Sequence, residues 1–167
     1  MKLIIAVMVM ILSGVNSAAS EGDRVKAGDY APAFSFKNSD GARLSLLRLR
    51  GKVVLLTFFS TKSVPSVREL EFIQRFIWQP EHSGGLIILG IGREHDEREV
   101  NDFLSTKHLD FTLVADPKRE IYGQYATDYI PHSYVVGKDG LIKYASLGFD
   151  EWEIDRIKAA VDIELKK

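Results

Sequence analysis

The chain of 167 residues contains no cysteine. That absence excludes disulfides, thiolate zinc sites, iron–sulfur clusters, cysteine nucleophiles and a lipid-modified N-terminal cysteine. An excess of one charge is missing too: 22 Lys and Arg stand against 23 Asp and Glu, for a formal net charge of −1. Nucleic acid or an anionic membrane surface, as a main partner, calls for a basic excess, so neither is expected. No apolar run reaches the roughly 20 residues of a spanning helix. Repeats and low-complexity tracts are also lacking. What is left is an ordinary globular balance, 46% hydrophobic and 27% charged, enough for one domain with a substantial core.

Met1-Lys2 precedes an apolar run from Leu3 to Leu12, which gives way to small and polar residues from Ser13 to Ser20. This is the organisation of a secretory signal peptide, with Ser17-Ala18-Ala19 as the small-x-small site and cleavage after Ala19. Residues 1–19 are expected to be a leader and 20–167 the folded domain. The mature protein is then periplasmic or otherwise secreted, with no stable membrane span. The alternative is a leader retained as an anchor.

Along the domain, Ala31 to Phe36 alternates apolar positions and Asn38-Ser39-Asp40-Gly41 has turn chemistry, predicting a small hairpin with Leu44 and Leu46 beyond. Val53 to Phe59 is a continuous β-branched and aromatic run, the pattern of a central strand buried on both faces. Pro65 suits the first turn of a helix that carries Leu70, Ile73 and Ile77 and ends by Pro80 and Gly84-Gly85. Leu86 to Gly92 predicts a second buried strand, and Asp96 a cap for a helix bearing Val100, Phe103 and Leu104. Thr112 to Ala115 predicts a short strand, and Asp116-Pro117 an N-cap with proline opening a brief helix through Tyr122. Ser133 to Val136 and Leu141 to Leu147 pair around Lys138-Asp139-Gly140, and Ile154, Ile157, Val161 and Leu165 mark one face of a closing helix. The sum is one α/β domain that ends in a hairpin and a helix.

This order of elements, with three local motifs, resembles the thioredoxin-like superfamily, and within it the secreted TlpA-like disulfide-reductase and redoxin branch. The family opening G-x-x-A-P-x-F is met by Gly28 to Phe34. The family segment F-W-A-T-W-C-x-x-C-R-x-E, after a G-K-V-V strand, is met by Phe58-Phe59-Ser60-Thr61-Lys62-Ser63-Val64-Pro65-Ser66-Val67-Arg68-Glu69. The family I-P-T is met by Ile130-Pro131-His132, followed by the Lys138-Asp139-Gly140 turn. The resemblance implies a central mixed β-sheet flanked by helices, with an N-terminal β-hairpin extension. It also implies a cis proline at Pro131, facing the helix that starts near Pro65.

The departure falls on the chemistry. Both positions of the family's redox pair are serine, Ser63 and Ser66. Thiol–disulfide exchange needs a thiolate to attack and a second cysteine to resolve the mixed disulfide. A serine hydroxyl stays un-ionised at neutral pH, and oxygen forms no counterpart of the disulfide bond. A peroxiredoxin-type peroxidase fails for the same reason, and Leu56 also stands where that pattern has proline. Lys62 stands for the usual Trp, Val67 for a basic residue, Glu71 for a helix proline and His132 for Thr, the drift of a degenerate site.

Glu69 matches the family carboxylate behind the redox pair, where it assists proton transfer; it is equally explained as an acid favoured by the helix N-terminus. His132, expected on the loop facing Ser63, raises the idea of a Ser–His dyad. A half-buried histidine without catalytic duty is the commoner outcome, and no orienting acid or oxyanion hole is legible. His82, His95, His108 and His132 show no i,i+4 pairing, so no metal site is expected, and no cofactor is implied. The run Arg93 to Glu99 reads as the solvated start of a helix. Gly90-x-Gly92 lacks the third glycine of a dinucleotide fingerprint. Phe72, Phe76 and Trp78 are expected in the core.

No catalytic residue is therefore expected. Ser63, Pro65, Ile130, Pro131 and His132 form the candidate face for a peptide or protein partner, by strand addition without a redox step. The alternatives are a thiol–disulfide oxidoreductase whose cysteines were mutated to serine, and an accessory structural protein of an envelope complex.

Overall fold

The computed structural model describes residues 22–37, 41–80 and 84–167. The expected leader, Asn38 to Asp40 of the hairpin turn, and His82 lie outside the described residues. In chain order come β1 (Ser35–Lys37), β2 (Arg43–Ser45), a 3-10 turn (Leu46–Leu49), β3 (Val53–Phe59), α1 (Val64–Ile73), which runs on into a wider π turn (Gln74–Trp78), and β4 (Leu86–Arg93). Then follow α2 (Glu97–Lys107), β5 (Thr112–Asp116), α3 (Tyr122–Tyr125), β6 (His132–Val136), β7 (Ile142–Leu147) and α4 (Glu151–Leu165).

Strands β1 and β2 form the N-terminal antiparallel hairpin, Phe36 opposite Leu44. The main sheet is mixed and five-stranded, in the order β5-β4-β3-β6-β7. Strands β3, β4 and β5 are parallel, β6 runs antiparallel to β3, and β7 antiparallel to β6. This is the architecture that the resemblance implied.

The apolar run of β3 serves both faces because side chains alternate along a strand. Val54, Leu56 and Phe58 join Phe34, Phe36, Tyr122, Tyr125 and Tyr134 on the face of the hairpin and α3. Val53, Leu55 and Phe59 join Leu70, Ile73, Val100, Ile154 and Ile157 on the face of α1, α2 and α4. Gly92 of β4 is small for a packing reason: a Cβ there would meet Val100 Cγ1 at 2.8 Å. The two glycines of the Gly90-x-Gly92 pair let α2 and its neighbours lie close on the sheet.

Helix α2 starts as expected from Asp96, whose carboxylate accepts the Glu99 amide while Glu99 accepts the Asp96 amide, a reciprocal capping box. Two expectations need correction. Asp116 ends β5 rather than capping a helix at Pro117; its carboxylate accepts the amides of Ile121 and Tyr122, so the short helix begins at Tyr122. The buried turn offers that carboxylate two donors, which the adjacent Pro117 cannot. Phe76 is not core but 40% exposed, because the π turn re-phases the helix beyond Ile73.

Candidate functional site

Strand β3 delivers the chain to the loop Ser60–Ser63, from which α1 departs. Ser63 is the N-cap of α1, with extended φ/ψ of −102° and 109°. Its Oγ accepts the Ser66 amide at 3.3 Å and the Ser66 hydroxyl at 3.0 Å. Pro65 lies in the first turn, where its missing N–H costs no bond. Ser66 is buried, and Val64 between them is 71% exposed.

One turn on, Glu69 is fully buried, and its Oε1 accepts hydroxyl hydrogen bonds from Thr57 at 2.8 Å and Ser133 at 2.5 Å. Oε2 has no hydrogen-bond partner among the described residues. Burial pushes the carboxyl up to about 7; the Ser133 and Thr57 hydroxyls pull the other way, and the charge of Glu153 adds slightly to the rise. Thr57 and Ser133 are register partners across β3 and β6, so Glu69 ties α1 to both strands.

The register also sets where Pro131 stands. Phe58 is opposite His132, so the start of β6 and the end of β3 share one end of the sheet. That brings the loop bearing Ser63 and the Ile130–Pro131 bond, which is cis, to the same edge. Pro131 is buried and its carbonyl accepts the Gly148 amide at 2.9 Å. Tyr122 Oη donates to the carbonyls of Asp128 and Tyr129, holding the approach to that bond. Tyr129 itself is 66% exposed, with φ of 67°.

His132 is placed differently from the expectation. Its ring is 2% exposed and points away from α1, to the side of Phe58 and Tyr134. Nε2 lies 2.8 Å from Asp23 Oδ1 and 2.9 Å from Tyr134 Oη. Alternation along β6 is the reason: Ser133 takes the α1 side, so His132 takes the other. No Ser63–His132 dyad forms. Burial holds the imidazole below its usual pKa, partly offset by Asp23.

His95 escaped sequence reasoning. It is 2% exposed and reaches the β3–α1 loop, where Nε2 accepts the Thr61 amide at 2.9 Å and lies 3.2 Å from Ser60 Oγ. Its Nδ1 is 3.4 Å from Glu99 Oε2. Set inside a dense charge run, it looked solvated; only its position before the Asp96 cap turns it inward. It braces the loop that carries Ser63.

A family model described as AhpC/TSA matches residues 27–145. The chain belongs to the AhpC/TSA family. Within its neighbourhood the chain is similar to the thiol-disulfide oxidoreductase ResA of Bacillus thuringiensis, 24% identical over 148 residues, covering 85% of each chain. It is 30% identical over 134 residues to a candidate peroxiredoxin of Mycobacterium tuberculosis, covering 73% of this chain and 85% of that one. Among solved structures, a candidate protein disulfide isomerase from Bacteroides thetaiotaomicron superposes with a TM-score of 0.82 at 27% identity, over 89% of this chain and 96% of that one. This AhpC/TSA-family chain thus keeps a thioredoxin fold, with no cysteine anywhere in the sequence. Among the described residues no helix is long and apolar enough to cross a membrane.

Proposed function

We propose that this AhpC/TSA-family chain is an extracytoplasmic, redox-inactive protein that binds an extended peptide or protein segment at the Ser63/Pro131 face. The observation that carries this is the Ser63–Ser66 hydroxyl pair, hydrogen-bonded at 3.0 Å where a redox reaction would need two thiols. The surroundings support binding. Val64 and Tyr129 are exposed large side chains on the two segments that the β3–β6 register brings to one end of the sheet, and Leu147, opposite His132, is a third. An incoming strand would pair with the main chain at Ile130, flanked by Ser63, Pro65 and Pro131; His132 takes no part, since its ring faces the other way and its main chain lies between β3 and β7. The leader organisation of residues 1–19 supports an extracytoplasmic location.

The test has two arms. The protein as written should reduce insulin no faster than buffer, whereas Ser63→Cys with Ser66→Cys should gain measurable turnover. Reduction by the unaltered chain would refute redox inactivity. In the second arm, the full chain is used to pull partners from an envelope extract beside a Pro131→Ala variant. A partner retained by the first and lost from the second is expected; equal capture would move the interaction to another surface, as an accessory structural protein requires.

One observation favours a second reading, a thiol–disulfide oxidoreductase whose cysteines were mutated to serine. Glu69 is kept buried, protonatable near neutrality and poised behind Ser66, which a pure binding site does not require. The genomic codons for residues 63 and 66 decide between the two.

A further inference from the structure

We propose that residues 22–31 form an acid-released strap, latched over the α3–β6 connection by the contact of Asp23 with His132. The strap is held first by main chain. The Arg24 amide donates to the Tyr125 carbonyl and the Thr127 amide to the Gly22 carbonyl, both at 2.9 Å, around an antiparallel bridge of Asp23 with Ala126. Farther on, the Gly28 amide meets the Ile142 carbonyl and the Ile142 amide the Asp29 carbonyl, each at 2.8 Å. Val25 and Ala31 add apolar contacts that are only partly buried. A segment with so little buried apolar surface opens locally before the domain unfolds.

One polar side chain anchors it to the interior. Asp23 reaches inward until its side chain is 5% exposed, and Oδ1 lies 2.8 Å from Nε2 of His132, whose ring is 2% exposed. A carboxylate can only accept, so Nε2 carries the hydrogen of a neutral imidazole and donates it to Asp23. Nδ1 is then the bare nitrogen, buried with no hydrogen-bond partner among the described residues. A proton taken up in acid has to go there, where it becomes a buried donor facing no acceptor. The latched state therefore resists protonation. An opened strap withdraws Asp23 from the ring and brings water in its place.

The groups around the ring set the direction. The Asp23 charge favours protonation of His132, but less than burial opposes it. On β6 the Tyr134 ring stacks on the imidazole at 4.7 Å, with Oη 2.9 Å from Nε2 and donating to the Tyr125 carbonyl. Phe58 of β3 and Leu147 of β7 stand opposite His132 in the register and carry no charge. From α3 come Tyr122 and Tyr125, and Arg93 and Arg119 lie over the Tyr122 ring at 5.2 and 5.3 Å. No second carboxylate pairs with His132 among the described residues. Protonation thus favours the open strap, so the latch holds above the ordinary histidine value of 6.5 and loosens below it. Release frees Ala126 and Thr127, from which the chain runs to the Ile130–Pro131 bond, so the strap governs the order of that edge. The latch rests on the strap's own contacts and not on the reading given for Ser63 and Pro131.

The test is amide hydrogen exchange by NMR on the full chain, expressed as protection factors at pH 7.5 and 5.5. Protection of Arg24 and Thr127 should fall by about fivefold to tenfold, close to the limit for one proton taken up by the open state, while Leu56 and Phe58 of β3 lose none. His132→Gln keeps a donor for Asp23 and cannot titrate, so its strap protection should not fall in acid. Asp23→Ala should leave the strap amides poorly protected already at pH 7.5, with β3 intact. Imidazole nitrogen shifts of the unaltered chain at pH 7.5 should show a neutral ring with its hydrogen on Nε2. Strap and β3 amides losing protection together would overturn the proposal, as would strap protection that acid leaves unchanged or a charged ring at pH 7.5. So would an undiminished acid effect in His132→Gln, or full strap protection in Asp23→Ala.

Discussion

Ser133 Oγ donates a 2.5 Å hydrogen bond to Glu69 Oε1, although 64 positions separate the two residues. The bond places a buried carboxyl of α1 against the start of strand β6, one residue beyond His132. Thr57 supplies a second donor to the same oxygen, so one carboxyl is shared by a helix and two strands. Its protonation state therefore acts on the packing of the whole site.

The carboxyl titrates at about 7 in the folded chain against an ordinary value of 4.5, so the folded state holds its proton more tightly than the unfolded state. Stability from this group is full below pH 4.5 and is lost as pH rises through 7, a difference of about 3 kcal/mol at ~1.4 kcal/mol per tenfold in proton affinity. Glu69→Gln cannot titrate. Urea midpoints measured between pH 4.5 and 8 should shift in favour of the Gln variant as pH rises.

His132 works in the opposite sense. Its folded pKa is depressed by burial, so the unfolded chain takes up the proton more readily. Stability from the neutral imidazole is present above the ordinary histidine value of 6.5 and is lost as pH falls below it. His132→Phe keeps a ring against Tyr134 but removes the titration. Its urea midpoint should be lower than wild type at pH 7.5 and should fall less steeply toward pH 5, read in a Glu69→Gln background to remove the first effect.

Ser63 is the acceptor for both donors of Ser66, and Ser66 is buried. Ser63→Ala should cost about 1 kcal/mol of stability, the usual loss for an N-cap. Ser63→Asp retains an acceptor and places negative charge at the helix start, so it should recover most of that loss. Chemical denaturation of the three proteins at pH 7.5 checks the order.

Gly92→Ala would drive a methyl to 2.8 Å from Val100 Cγ1 and 3.1 Å from His95 Cβ. Valine in a helix holds one χ1 rotamer and cannot swing aside. A loss of about 1–3 kcal/mol is expected from the overpacking. Displacement of His95 should also appear as a shift of the Thr61 amide resonance, because that amide donates to His95 Nε2.

Local pattern alone determined much of this protein. A seven-residue run that is apolar at every position but Thr57 has no register in which one face could be wetted, so Val53–Phe59 had to be a strand buried on both sides. Pro65 and Ser63 carry the start of α1 in their own chemistry, and the absence of cysteine is legible directly. Tertiary structure decided the rest, because it depends on which elements meet. Which side of β6 receives His132 follows from the pairing of Thr57 with Ser133 and the placement of α1, not from the Ile130-Pro131-His132 motif. His95 is buried inside a run of charges because the β4–α2 connection packs over Ser60 and Thr61, a contact across 34 positions. Periodicity reports which residues seek a neighbour; only the folded chain supplies the neighbour.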